Sequence, residues 1–173
     1  MIRFETGMRR LAEYMSLIAG AAITIMMLLS TADVLLRLGG PLYSKFKYDF
    51  LSFIQPIPGT YELVSFLGTV AAAFAIAHTS LKGGHVSVSL VTRLLPERIK
   101  TIVQIITNTL ALVFFGLLTW RSVFYGRELK LYGEVSMTLQ LPYYPFVYGV
   151  AFASLVMCFI LIIYIINYAR ELK

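Results

Sequence analysis

The chain has 173 residues and a formal net charge of +6, with 58% hydrophobic and only 14% charged residues. A soluble domain carries about 25% charged residues, so there is too little polar surface here to cover a water-soluble globule. The Lys and Arg residues flank apolar runs instead of forming one patch, which excludes a nucleic-acid-binding surface and fits helix anchors.

Four apolar stretches follow in chain order, each near the ~20 residues needed to cross hydrocarbon with every backbone polar group satisfied within its own helix. They predict spans at approximately 11–37, 60–81, 100–122 and 145–168. Arg3, Arg9 and Arg10 precede the first run. That run is longer than the ~7–15 residues of a signal-peptide core and no small-residue cleavage pattern follows, so an uncleaved signal anchor is expected. In approximately 45–54, Phe46, Phe50, Phe53 and Ile54 share a face opposite Lys47, Asp49 and Ser52, predicting an amphipathic helix that lies in the membrane interface.

The second span is dense in small residues. Gly68/Ala72 and Ala71/Ala75 repeat at i, i+4, a spacing that lets another helix approach closely, at the bundle centre or from a partner. A second interfacial helix is expected at approximately 85–95, where Val86, Leu90, Val91, Leu94 and Leu95 form the apolar stripe and Pro96 stops it. The fold class is therefore all-α: an integral membrane protein of four transmembrane helices plus short interfacial amphipathic helices, in a single membrane domain over 1–173. Nine Lys and Arg fall on the side of the termini against six on the other, favouring both termini in the cytoplasm. Tyr43, Tyr48, Tyr125, Tyr132, Tyr143, Tyr144 and Tyr148, with Trp120 close by, then form an aromatic belt on the outer side.

Few side chains offer chemistry. Asp33 and Arg37 stand at i, i+4 near the end of the first span, where they can pair or meet a partner subunit. Glu62 opens the second span, where the helix dipole favours an acid and where an interface contact is the alternative. Gln104, Thr107 and Asn108 are expected to turn inward and bond neighbouring helices. Cys158 is alone and reads as a packing residue. His78 and His85 belong to one segment broken by Gly83 and Gly84, so they do not face each other as two haem ligands would. No nucleophile–base pair, metal cluster or phosphate-cradling loop stands out, and no enzymatic activity is expected.

Three segments together resemble one family. They are Pro58-Gly59-Thr60-Tyr61-Glu62-Leu63; Gly84-His85-Val86-Ser87-Val88 followed by Leu94-Leu95-Pro96; and Gly133-Glu134 with Ser136, then Leu141-Pro142-Tyr143-Tyr144-Pro145. Their order and the four-span layout are similar to the small membrane subunit (DctQ-like) of tripartite ATP-independent periplasmic (TRAP) transporters. The long aromatic loop 42–57, and Ser89 where the family often carries an acid, depart from the pattern.

The resemblance implies a non-catalytic scaffold subunit in the bacterial inner (cytoplasmic) membrane. It would stabilise a large multi-span, elevator-type DctM-like subunit that carries the sodium and substrate sites. A periplasmic substrate-binding protein would deliver small organic anions to the outer face. On this reading the chain itself binds no cofactor, and sodium is expected in the large subunit. Membrane lipids surround it, and no nucleic acid is expected. The interface residues implied are Asp33, Arg37, Glu62, Gly68, Ala72, Gly84, His85, Glu134, Pro142 and Tyr143, with Arg121, Arg127 and Lys130 meeting an acidic binding protein. Two other readings are a self-sufficient homodimeric transporter and a membrane anchor of a redox complex. The first calls for a mid-span carboxylate, the second for ligands on facing helices.

Overall fold

A computed structural model describes residues 2–46, 57–81 and 96–171. Four helices occupy them: α1 (Ile2–Phe46), α2 (Thr60–Leu81), α3 (Glu97–Tyr132) and α4 (Tyr144–Glu171). Each contains a segment long and apolar enough to cross a membrane. The observed fold class is all-α with four such helices. The interfacial helix expected at 85–95 lies outside the described residues, as does 47–54 of the other; its first two positions, Lys45 and Phe46, form the last residues of α1.

Two helices outrun their apolar stretches. α1 continues through Gly39-Gly40-Pro41, because a proline removes only one backbone donor and the carbonyl it frees, that of Arg37, lies at the end of the apolar stretch. α3 continues past its last apolar residues, Val123-Phe124-Tyr125, through Arg127–Tyr132, where Arg, Glu, Leu and Lys are good helix formers and nothing interrupts them strongly before Gly133. Gly133 takes the left-handed conformation (φ 64°), and its N–H and that of Glu134 both turn back to the Leu129 carbonyl, closing the helix.

The helices do not close into a symmetric bundle. α1 packs on α2, α2 on α4 and α4 on α3, with only light contact between α1 and α4. A core of Ala12 and Met15 from α1, Ala73 from α2, and Ala153, Val156 and Ile160 from α4 joins three of the helices. α3 lies outside it. Its seam with α4 runs through Asn108, Leu112, Phe115, Thr119, Ser122, Gly126 and Leu129, spaced alternately four and three apart, and becomes buried only at Ser122, Gly126 and Leu129. A Cβ on Gly126 would come within 2.9 Å of the Tyr148 ring, so the absent side chain is what lets the two helices meet there. At the other end, the Tyr164 hydroxyl donates to the Ser80 carbonyl (3.1 Å) and ties α4 to α2.

The small residues of α2 divide between two faces. Ala71 and Ala73 are buried within the chain, Gly68 rests beside the Met26 sulfur, and Ala72 points away from the other helices. Near the start of α3, Thr107 is exposed and the Asn108 amide donates to the Gln104 carbonyl of its own helix (2.8 Å). Thr107 thus does not turn inward, and among the described residues the Asn108 amide bonds its own helix, because a carbonyl one turn back lies within easier reach.

Candidate functional site

The most highly organised polar region is at the end of the molecule opposite the chain termini, where α2 begins and α3 turns into α4. Pro58-Gly59 makes the turn into α2, and Gly59 adopts φ +76°, a conformation glycine takes without steric penalty. The Gly59 carbonyl accepts from the Glu62 and Leu63 amides, and the buried Thr60 hydroxyl donates to the Ile57 carbonyl (2.9 Å). This is where Glu62 enters the first helical turn.

Its carboxylate does not cap its own helix. Oε1 accepts from the Thr138 N–H (2.8 Å) and Oε2 from the Leu139 N–H (3.0 Å), both in the α3–α4 loop. The Leu139 side chain then lies directly over Gly59, where a Cβ would sit 2.5 Å from its Cγ. A charged acceptor of two consecutive amides is a strong contact, and here it fixes loop to helix.

The loop is itself braced. Ser136 is fully buried, its N–H donates to the Leu141 carbonyl (2.9 Å), and its hydroxyl accepts from the Leu141 N–H (3.2 Å). Val135 bridges Pro142, and the Tyr143 N–H donates to the Glu134 carbonyl (3.4 Å). Gln140 has φ 55°, the left-handed conformation that reverses the chain just after the two amides that meet Glu62. Beneath the loop, Phe66 of α2 stacks on Phe146 of α4 (4.1 Å between centroids) and meets Tyr143 (5.4 Å). The result is a clasp that joins the start of α2 to the α3–α4 loop.

Beside the clasp, Arg37 donates from Nε to the Asp33 carboxylate (2.6 Å) and lies over the Tyr61 ring (5.2 Å). Asp33 is buried and Arg37 half exposed, so the carboxylate is sealed by its own i+4 neighbour and by the start of α2. The second Asp33 oxygen, Oδ1, has no hydrogen-bond partner among the described residues.

The family model for tripartite ATP-independent periplasmic transporters, DctQ component, matches residues 50–171. The chain belongs to this family. It is thus a small membrane component of such a transporter, and four membrane-length helices fit an inner-membrane protein. Searches of curated proteins and of solved structures returned no match.

In this DctQ component, the clasp brings together residues from two of the three sequence segments: Glu62 from the first, and Glu134, Ser136, Pro142 and Tyr143 from the third. Gly84 and His85, from the other segment, lie outside the described residues. Arg121, Arg127 and Lys130 follow one another along α3 and are all exposed. Arg127 lies over the Phe124 ring (5.9 Å) and Lys130 over the Tyr144 ring (5.9 Å). No group of three or more potential metal ligands occurs among the described residues. Sequence reasoning did not join Glu62 to Thr138 and Leu139. The available signal was an acid in the first turn three residues after Gly59, which has no side chain to complete a capping box with it.

Proposed function

We propose that this DctQ component is the static scaffold of a sodium-coupled importer. It holds a large DctM-like elevator subunit in the membrane while a periplasmic binding protein supplies small organic anions. Sodium and substrate bind in the large subunit, both termini face the cytoplasm, and the clasp lies on the periplasmic side. The observation that carries the reading is the clasp. A subunit that must stay still while its partner's mobile part crosses the membrane needs its helices fixed to one another at the surface. Here a carboxylate, two amides and an aromatic stack do this for α2, α4 and the loop.

The helix carboxylates near the clasp also suit a frame. Asp33 is engaged by Arg37 and Glu62 by the loop, both near the ends of their membrane-length segments, away from the mid-membrane position where transporters place their coupling sites. Deletion of the chain tests the proposal. Uptake of the substrate by cells should be lost, while the isolated binding protein still binds that substrate. Uptake that persists would overturn it.

A further inference from the structure

Arg121 does not share the setting of the two cations beyond it. The α3–α4 register is fixed by Gly126 against Tyr148 and by Lys130 over Tyr144. Counting ~20 residues back from Asn167, where the apolar part of α4 ends, puts the loop-side limit of hydrocarbon near Tyr148. Gly126 is level with that limit and Lys130 lies beyond it. Arg121 is five residues further toward the chain termini, about 7.5 Å deeper at 1.5 Å per residue. Its Cα–Cβ bond tilts toward the N-terminus of α3, away from the nearer surface, so the side chain starts out pointing deeper still. The sequence agrees, since Val123, Phe124 and Tyr125 continue the apolar run on the far side of Arg121.

At that depth the guanidinium has no ion-pair or hydrogen-bond partner among the described residues. The acid nearest to it along α3, Glu128, is seven residues away, about 10.5 Å along the axis. Arg121 stands on the side of α3 turned away from α4, among Leu117 (66% exposed), Trp120 (69%) and Phe124 (45%), with Trp120 and Phe124 stacked at 5.6 Å. No residue of α3's most apolar stretch is buried within the chain. A lone charge within hydrocarbon is costly, and such residues pair with one another or line functional contacts.

We propose that this face of α3 seats a transmembrane helix of the large membrane partner, and that the helix brings an Asp or Glu carboxylate to Arg121. The inference rests on the scaffold reading and says where the partner binds. A second copy of this chain does not fit. Two parallel α3 helices related by a two-fold axis would set Arg121 beside Arg121, with Glu128 a full two turns away. Lipid phosphate is a poorer match, since the Arg121 Cα–Cβ bond starts below the headgroup level and tilts away from it, so the side chain would have to double back to reach it.

The test uses the intact transporter complex in native membranes. p-Benzoylphenylalanine is placed at Leu117 and, as a comparison, at Leu35 on the exposed side of α1. Cross-linked peptides are then mapped by mass spectrometry. The Leu117 probe should capture a transmembrane segment of the large subunit that contains an Asp or Glu. In parallel, Arg121→Leu should reduce stoichiometric co-purification of the large subunit by about tenfold, because it strands the partner's carboxylate, while Arg121→Lys retains most of it. Leucine suits a lipid-facing helix position, so this loss should come with unchanged expression and melting temperature of the chain alone. Cross-links from Leu117 to lipid only, or undiminished co-purification of Arg121→Leu, would overturn the inference. Capture of the large subunit at Leu35 but not at Leu117 would overturn this docking face and leave the scaffold reading intact. Failure to recover any large subunit with the unmodified chain would overturn both.

Discussion

Glu62 supplies both acceptors for two adjacent amides, so its substitutions separate charge from shape. Glu62→Ala leaves the Thr138 and Leu139 N–H groups without their acceptors, with water recovering part of the loss at this exposed loop. The expected outcome is a lower melting temperature in detergent and faster proteolysis within 133–143. Glu62→Gln keeps one good acceptor oxygen and should lose clearly less. Gly59 offers a second probe. Gly59→Ala places a Cβ 2.5 Å from the Leu139 Cγ and forces a non-glycine residue to φ +76°, the latter alone costing about 1–2 kcal/mol. Leu139→Ala in the same chain should recover the steric part and leave the backbone part, so a thermal-melt double-mutant cycle divides the two.

The helices differ in what holds them. α2 and α4 belong to the three-helix core, whereas α3 depends on one seam whose closest approach is Gly126 against Tyr148. Gly126→Leu should therefore lever α3 away from α4 and leave the α1–α2–α4 core folded. Engineered cysteine pairs across each seam would report it: α3–α4 cross-linking falls and α2–α4 cross-linking persists. Helix type was legible from the apolar runs, because satisfying the backbone in hydrocarbon leaves few alternatives. The extent of α1 and α3 was not, since once a helix leaves the membrane its continuation depends on propensity and capping, as at Gly133. The Asp33–Arg37 pair could be read from i, i+4 spacing. The Glu62 tie could not, because its partners are backbone amides 76 and 77 positions away and leave no periodic trace.

Taken whole, the molecule consists of an α1–α2 half and an α3–α4 half joined along the α2–α4 seam, by the core residues Ala12 and Met15 of α1, at the clasp and at the Tyr164–Ser80 bond. Each half is a pair of adjacent membrane helices able to insert together. Fragments 1–95 and 96–173, co-expressed with a tag on one, should therefore reassemble and co-purify. Glu62→Ala in the first fragment should weaken that recovery several-fold, since it removes a tie that a covalent chain would otherwise help to hold. Equal recovery with and without Glu62 would mean that the packed core and the Tyr164–Ser80 bond suffice to join the halves.

The clasp also sets an order on the making of the protein. Glu62 and Phe66 leave the ribosome long before Thr138, Leu139 and Phe146 exist to cover them. For that interval, half of the protein sits in the bilayer with an unanswered carboxylate and an uncovered aromatic ring at one end of α2. Both are answered only when the last loop and helix arrive. A chain interrupted before residue 138 keeps that end open permanently, with Glu62 and Phe66 lacking the partners that the last loop and helix supply.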